Sequence, residues 1–384
     1  MPLADAAAHL DHARDLLRAH PVFDGHNDLP WTIRQDLDAQ GDPSRYDLAG
    51  RAPGHTDLAR LRAGGVGAQF WSVYVPARAD PGGRGFAAQQ LEQIDLARRM
   101  IARHPADLAL CRTADEVEAA IAAGRVASLL GMEGGHVLEN SLGALRMFRE
   151  LGAAYLTLTH TATIDWADAA TDAPRSGGLS PFGRTVVREM NRLGMLVDLS
   201  HVSPDTMRDA LDTSAAPVIF SHSSARAICD VPRNVPDAIL ARLPQNGGVC
   251  MVTFVAGFVS AASAAAIAPG IAELERRSAE ITDLRELRRL RDEIVSALDV
   301  PLPSVGDVAD HVEHVARVAG FEHVGLGGDY DGTLLFPRGM EDVSGYPLLI
   351  AELLARGWTD AQLAGLACRN VLRVMRSAEA VAAE

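Results

Sequence analysis

His26 and Asp28 stand two residues apart in Val22-Phe23-Asp24-Gly25-His26-Asn27-Asp28-Leu29-Pro30, where an apolar run that reads as a buried strand comes to its end. Alternate side chains of an extended chain share a face, so an imidazole and a carboxylate point the same way and offer two ligands to one divalent ion. More metal-competent residues recur at the ends of later apolar runs: Glu133 in GMEGGH, His201 in LVDLSH, His222 in IFSHSS and Asp329 in VGLGGDYDG. Read together, His26 and Asp28 would hold one ion, His201 and His222 a second, and Glu133 would bridge the two. Imidazole with carboxylate suits zinc, and cobalt or manganese would also fit. Two bridged ions would supply a nucleophilic hydroxide and polarise a carbonyl, which is what hydrolysis of an unreactive amide requires.

Such ligands need a rigid frame. Eight short apolar runs (22–28, 66–75, 126–133, 153–160, 195–201, 217–222, 248–254 and 323–329) alternate with amphipathic stretches at 87–103, 114–123, 142–151, 182–193, 204–211 and 305–319. Strands alternating with helices over this length predict an α/β protein with parallel strands and right-handed crossovers, and eight of them predict a closed (β/α)8 TIM barrel. In such barrels the chemistry lies at the C-terminal rim of the strands, which is where these polar residues fall. We read residues 1–384 as one domain with a helical insertion at about 257–302. Leucine and isoleucine at helical spacing among dense Glu and Arg predict an exposed amphipathic helix or helix pair there, serving as a solvated surface, a lid or a subunit contact. Residues 346–375 predict helices packed outside the barrel, with Thr359 and Asp360 starting one of them.

Composition narrows the chemistry further. All 36 basic residues are arginine, which removes a Schiff-base lysine, a phosphate-loop lysine and a carbamylated lysine bridge from consideration. A protein bridge between two metals must therefore be a carboxylate. A net charge of −14 argues against nucleic acid and anionic membrane as partners, while small polar substrates remain open. Cys111, Cys229, Cys250 and Cys368 form no CxxC pair and no dense framework, so free buried thiols are expected. The first 22 residues carry Asp5, Asp11, Arg14, Asp15 and Arg18 among alanines and read as an amphipathic helix rather than a signal segment. A cytoplasmic protein with no membrane attachment is the expectation, and a homodimer is possible.

The motifs DGHNDLP (24–30), QFWSVYVP (69–76), GMEGGH (131–136), YLTLTH (155–160), VDLSHVS (197–203), FSHSSAR (220–226), RNVPD (233–237) and GGDYDG (327–332) occur in this order across nearly the whole chain. Together they resemble the membrane (renal) dipeptidase family, peptidase family M19, within the amidohydrolase-like metal-dependent barrels. The resemblance implies a zinc-dependent dipeptidase that cleaves small L-Xaa-L/D-Xaa dipeptides through a metal-bridging hydroxide. It implies two Zn2+ ions held by His26, Asp28, Glu133, His201 and His222, the same set that the strand ends suggest. It also implies that His160 polarises the scissile carbonyl, that Arg233 holds the substrate's terminal carboxylate, and that Asp329 transfers the proton.

Asp331 lies two residues beyond Asp329, so spacing alone does not separate them. Asp329 is preferred because Asp331, before Gly332, suits a turn. Asp24 shares the His26 face and is read as orienting a ligand. His136, His311, His314 and His323 are read as structural. A related binuclear amidohydrolase acting on N-acyl amino acids, lactones or β-lactams is the alternative. A non-catalytic metal-binding barrel is disfavoured, because the whole ligand set is present.

Overall fold

The computed structural model describes residues 8–78 and 82–383. Its strands are β1 (Val22–Asn27), β2 (Val66–Ser72), β3 (Leu108–Leu110), β4 (Val126–Glu133), β5 (Ala153–Thr157), β6 (Leu196–Asp198), β7 (Ile219–Phe220), β8 (Val249–Val252) and β9 (Val324–Leu326). The order β2-β1-β9-β8-β7-β6-β5-β4 is closed by a further pairing of β4 with β2, so eight strands form a ring. Every pairing in it is parallel. The predicted eight-stranded barrel is present, and its members are the eight predicted runs. β3 was not predicted; it pairs only with the first three residues of β4 and stands outside the ring. Three residues, LAL, are too short to register as a hydrophobic period.

Parallel strands covered on both faces read as continuous apolar runs, and the burial agrees. Phe23 stacks on Phe70 at 5.0 Å, and Phe70 meets Tyr155 at 5.1 Å between ring centres. These rings share an apolar cluster with Ile219, Val249 and Met251 and with Val371 and Val374 of the C-terminal helix Asn370–Ala383. The other strand faces, among them Trp71, Leu130, Leu156, Val197 and Phe220, pack with the surrounding helices. Burying each such side chain stabilises the fold by about 1.5–3 kcal/mol, so the rim above rests on a stiff base.

The helices start where side chains cap them. Ser141, Ser180 and Ser203 each accept a backbone N–H of the first turn that follows, and Thr113 forms a reciprocal box with Glu116. Thr359, predicted as a start, caps the helix Asp360–Ala364 in the same way with Gln362. The insertion is a helical pair, Ala261–Ser278 and Leu284–Ser296. Leu290 and Ile294 are the buried residues of its second helix, and Arg277 bridges to Glu293 at 2.9 Å. The end of its first helix reaches the loop after β2, where Arg78 donates to the Ser278 carbonyl at 3.0 Å. No helix among the described residues is long and apolar enough to cross a membrane.

Candidate metal centre

Only His26 and Glu133 of the predicted set stand on strands. Asp28 follows β1 and precedes the helix Leu29–Gln35, while His160, His201, His222 and Asp329 lie two or three residues past their strands. Two of these leave extended geometry altogether, His201 at φ 69° and Asp329 at φ 61°. Non-glycine residues seldom adopt this left-handed conformation, and it is tolerated where surroundings enforce it. The Ala170 N–H holds the His201 carbonyl at 2.7 Å, and the Asp329 N–H donates to the His26 carbonyl at 3.1 Å.

Glu133 is the hub. Its Oε1 lies 3.0 Å from His201 Nε2, 3.4 Å from His222 Nε2 and 3.8 Å from His160 Nε2. Its Oε2 lies 3.5 Å from His26 Nε2 and accepts the Ser72 hydroxyl at 3.2 Å. His26 Nε2 is 3.2 Å from Asp28 Oδ2, so these two side chains do converge. The ligand atoms fall into overlapping groups: His26, Glu133 and His222; Glu133, His160 and His201; His26, Asp28 and Asp329.

The donor set fits divalent cations. Burial pushes the His201 and His222 imidazoles well below the usual histidine range, with Arg233 adding to it at His201 and His26 at His222, so both are neutral and carry a lone pair. Burial works against ionising Glu133, but the surrounding imidazoles, His26 first, outweigh it and hold the carboxyl well below its ordinary value. His201 Nε2 and His222 Nε2 face each other at 2.9 Å beside that carboxylate. Lone pairs and negative charge meeting at one buried point call for a cation.

Around the hub lie the other predicted residues. Arg233 is buried; among the described residues its two terminal nitrogens reach only Ser223 Oγ and the His222 carbonyl, each at 3.4 Å, and its Nε has no partner. Its guanidinium lies 5.2 Å from the Phe258 ring centre, and burial draws it down to about 10. His160 is packed between Tyr74 and His201, with ring centres at 4.6 and 4.3 Å. Burial raises the Asp329 carboxyl well above the usual range, with Asp28 and Glu133 adding and His26 opposing. Asp331 turns away, accepting the His55 N–H at 2.9 Å.

A model of the membrane dipeptidase family, peptidase family M19, matches residues 10–384. The chain belongs to that family. It is a metallo-dipeptidase, a hydrolase that requires a divalent metal. The dipeptidase is 42% identical over 376 residues to Dipeptidase 3 of Mus musculus, covering 97% of this chain and 67% of the mouse protein. It superimposes on the probable dipeptidase PvdM of Pseudomonas aeruginosa with a TM-score of 0.82 at 23% identity, covering 98% of this chain and 99% of that one. A metallo peptidase of Rhodobacter sphaeroides, bound to a phosphinate mimic of the dipeptide L-Ala-D-Ala, matches at TM-score 0.73 and 25% identity over 93% of this chain and 99% of that one.

Sequence reading of this metallo-dipeptidase missed the residues that hold the ligands. Tyr155 Oη sits 2.8 Å from His26 Nδ1, and Ser221 Oγ sits 2.8 Å from His222 Nδ1. Both lie inside motifs already singled out, YLTLTH and FSHSSAR, but an aromatic in an apolar strand reads as core and a serine beside a histidine reads as a cap. Asp24 corrects the reverse way. It touches the His26 backbone N–H at 2.8 Å, not its ring, and is otherwise occupied by Gln69, Gly328 and Tyr346. The β1–β2 register shifts between Asp24 and Asn27, so strict alternation of faces does not hold there. His136, His311 and His323 bond backbone carbonyls, and His314 bonds Asp237. All four cysteines are free and buried.

Proposed function

We propose that the dipeptidase works with two Zn2+ ions, His26 and Asp28 serving one, His201 and His222 the other, and Glu133 both. When bound, such a pair supplies a nucleophilic water at neutral pH and polarises the scissile carbonyl. Everything else is done by side chains of the chain. Arg233 binds the terminal carboxylate and fixes where the peptide lies. His160, kept neutral by burial, donates a hydrogen bond to the carbonyl oxygen as negative charge develops there. Asp329 takes the proton of the attacking water and returns it to the leaving amine nitrogen, a role suited to a carboxyl whose affinity for a proton is raised.

The observation that carries this reading is the buried Arg233, a guanidinium with no carboxylate of the described residues bonded to it, beside a carboxylate-and-imidazole hub. A free α-carboxylate completes it with two parallel hydrogen bonds. Dipeptides with an L-residue followed by an L- or D-residue are the substrates, the D-residue being supported by the mimic bound to the Rhodobacter sphaeroides relative. Free buried thiols suit a cytoplasmic, reducing setting. The deciding experiment compares L-Ala-L-Ala and L-Ala-D-Ala with their C-terminal amides on metal-loaded protein. The amides should turn over far more slowly; equal rates would remove the carboxylate clamp. A metal count of two per chain is expected alongside, and a count of one would overturn the binuclear assignment.

A further inference from the structure

Beneath the His222 ring runs a chain of hydrogen bonds that ends on a fully buried carboxylate. His222 Nδ1 lies 2.8 Å from Ser221 Oγ, and Ser221 Oγ lies 2.6 Å from Asp198 Oδ2. The same Oδ2 meets Thr157 Oγ1 at 2.5 Å. The other oxygen, Oδ1, accepts the backbone N–H groups of Ser221 and Ser200 at 2.8 and 3.1 Å. Asp198 is 0% exposed, ends β6, and has no atom in any of the ligand groups around Glu133.

The direction of each hydrogen follows. The two backbone groups can only donate, and a carboxylate can only accept, so the Ser221 and Thr157 hydroxyls both donate to Oδ2. A serine hydroxyl has one hydrogen. Since Ser221 directs it at Asp198, the Nδ1 atom of His222 must be the donor in the remaining bond. The imidazole is then fixed as the tautomer with hydrogen on Nδ1 and a lone pair on Nε2, the atom that faces Glu133 and His201.

We propose that Asp198 is a positioning residue that acts through Ser221 to lock the tautomer and orientation of His222, and thereby sets the affinity of the metal centre. This rests on the reading of His222 as a ligand. The buried carboxylate would otherwise be a costly feature at the core of a barrel, and among the described residues its side-chain hydrogen bonds go to Thr157, the backbone of Ser200 and Ser221, which carries the relay.

The geometry supplies its own test. In Asp198→Asn, the two backbone donors require the amide oxygen at the Oδ1 position, which turns the NH2 group toward Ser221 and Thr157. Ser221 must then accept from it and donate to His222 Nδ1, which moves the imidazole hydrogen to Nε2. The relay predicts that Asp198→Asn binds Zn2+ about 10–100-fold more weakly in a chelator competition. It also predicts that the 15N chemical shifts of His222 in metal-free protein exchange their Nδ1 and Nε2 character. Ser221→Ala should weaken Zn2+ by a similar factor, which keeps the test available if the asparagine variant does not fold. Thr157→Val removes a hydrogen bond from the same carboxylate without touching the relay and should leave Zn2+ affinity within about threefold, a margin set by the relay's tenfold minimum. Unchanged affinity in Asp198→Asn or Ser221→Ala, or an equal loss in Thr157→Val, would overturn the proposal. His222→Ala separates the two readings: unchanged Zn2+ affinity there would refute the ligand assignment rather than the relay.

Discussion

Tyr155 reaches from β5 across the barrel interior to place its hydroxyl 2.8 Å from His26 Nδ1. Its ring is held by Phe70, which is held in turn by Phe23 just below His26 on β1. The apolar stack therefore aims an imidazole. Tyr155→Phe keeps the stack and removes only the hydroxyl. We expect Zn2+ affinity to drop at least about tenfold, as when a partner of a ligating histidine is lost. The metal-free protein should lose only about 1 kcal/mol, the usual net worth of a hydrogen bond. Chelator competition and urea unfolding measure the two separately; a stability loss without an affinity loss would reduce Tyr155 to a core residue.

Gly332 lies against the carboxylates of both Asp28 and Asp329, and a β-carbon built on it would overlap both. Its φ lies outside the left-handed region, so alanine is permitted by the backbone and only the site objects. Gly332→Ala should lower kcat/KM by roughly 100-fold, the penalty typical of an ångström's misplacement near reacting groups. Its Tm should change little. A variant with normal turnover would show that the two carboxylates can shift without consequence.

How far the sequence could be read depended on which regularity governed each residue. The eight barrel strands were legible because strands buried on both faces are continuous apolar runs, and the rim because six of the eight runs end in a polar residue. The Asp329 and Asp331 pair was not separable by spacing, since both sit at positive φ, 61° and 67°, where the alternation of an extended chain no longer applies. Local backbone decides: Asp329 joins His26 and Asp28, while Asp331 turns to His55. Tyr155, Ser221 and Asp198 stayed hidden because their roles depend on contacts between strands, which no single motif records.

Arg233→Ala should raise KM for L-Ala-L-Ala by about 10–100-fold with a smaller change in kcat, as when binding common to ground and transition states is lost. The same variant should be no less stable than the parent, because it deletes a buried charge that has only two long hydrogen bonds to neutral groups. Steady-state kinetics and thermal unfolding test both halves. An unchanged KM would place the terminal carboxylate elsewhere.

His136 offers a pH dependence whose sign can be worked out. Its Nε2 donates to the Val75 carbonyl at 3.0 Å, its Nδ1 has no partner, and burial, aided by the nearby His160, pushes it down to about 4. The unfolded chain binds that proton at roughly pH 6.5, so between these values the unfolded state holds more protons than the folded one. Its contribution to stability is complete above roughly pH 6.5, falls as pH drops through that value, and levels off below about 4. His136→Gln keeps a donor for Val75 and cannot be protonated. Measured on metal-free protein, the Tm difference between parent and variant should be constant above pH 7 and move in favour of the variant as pH falls toward 4.5. Titratable groups that do not interact with His136 are common to both proteins and cancel in the difference. Parallel Tm curves over that range would mean that His136 is solvated enough to titrate normally in the folded protein.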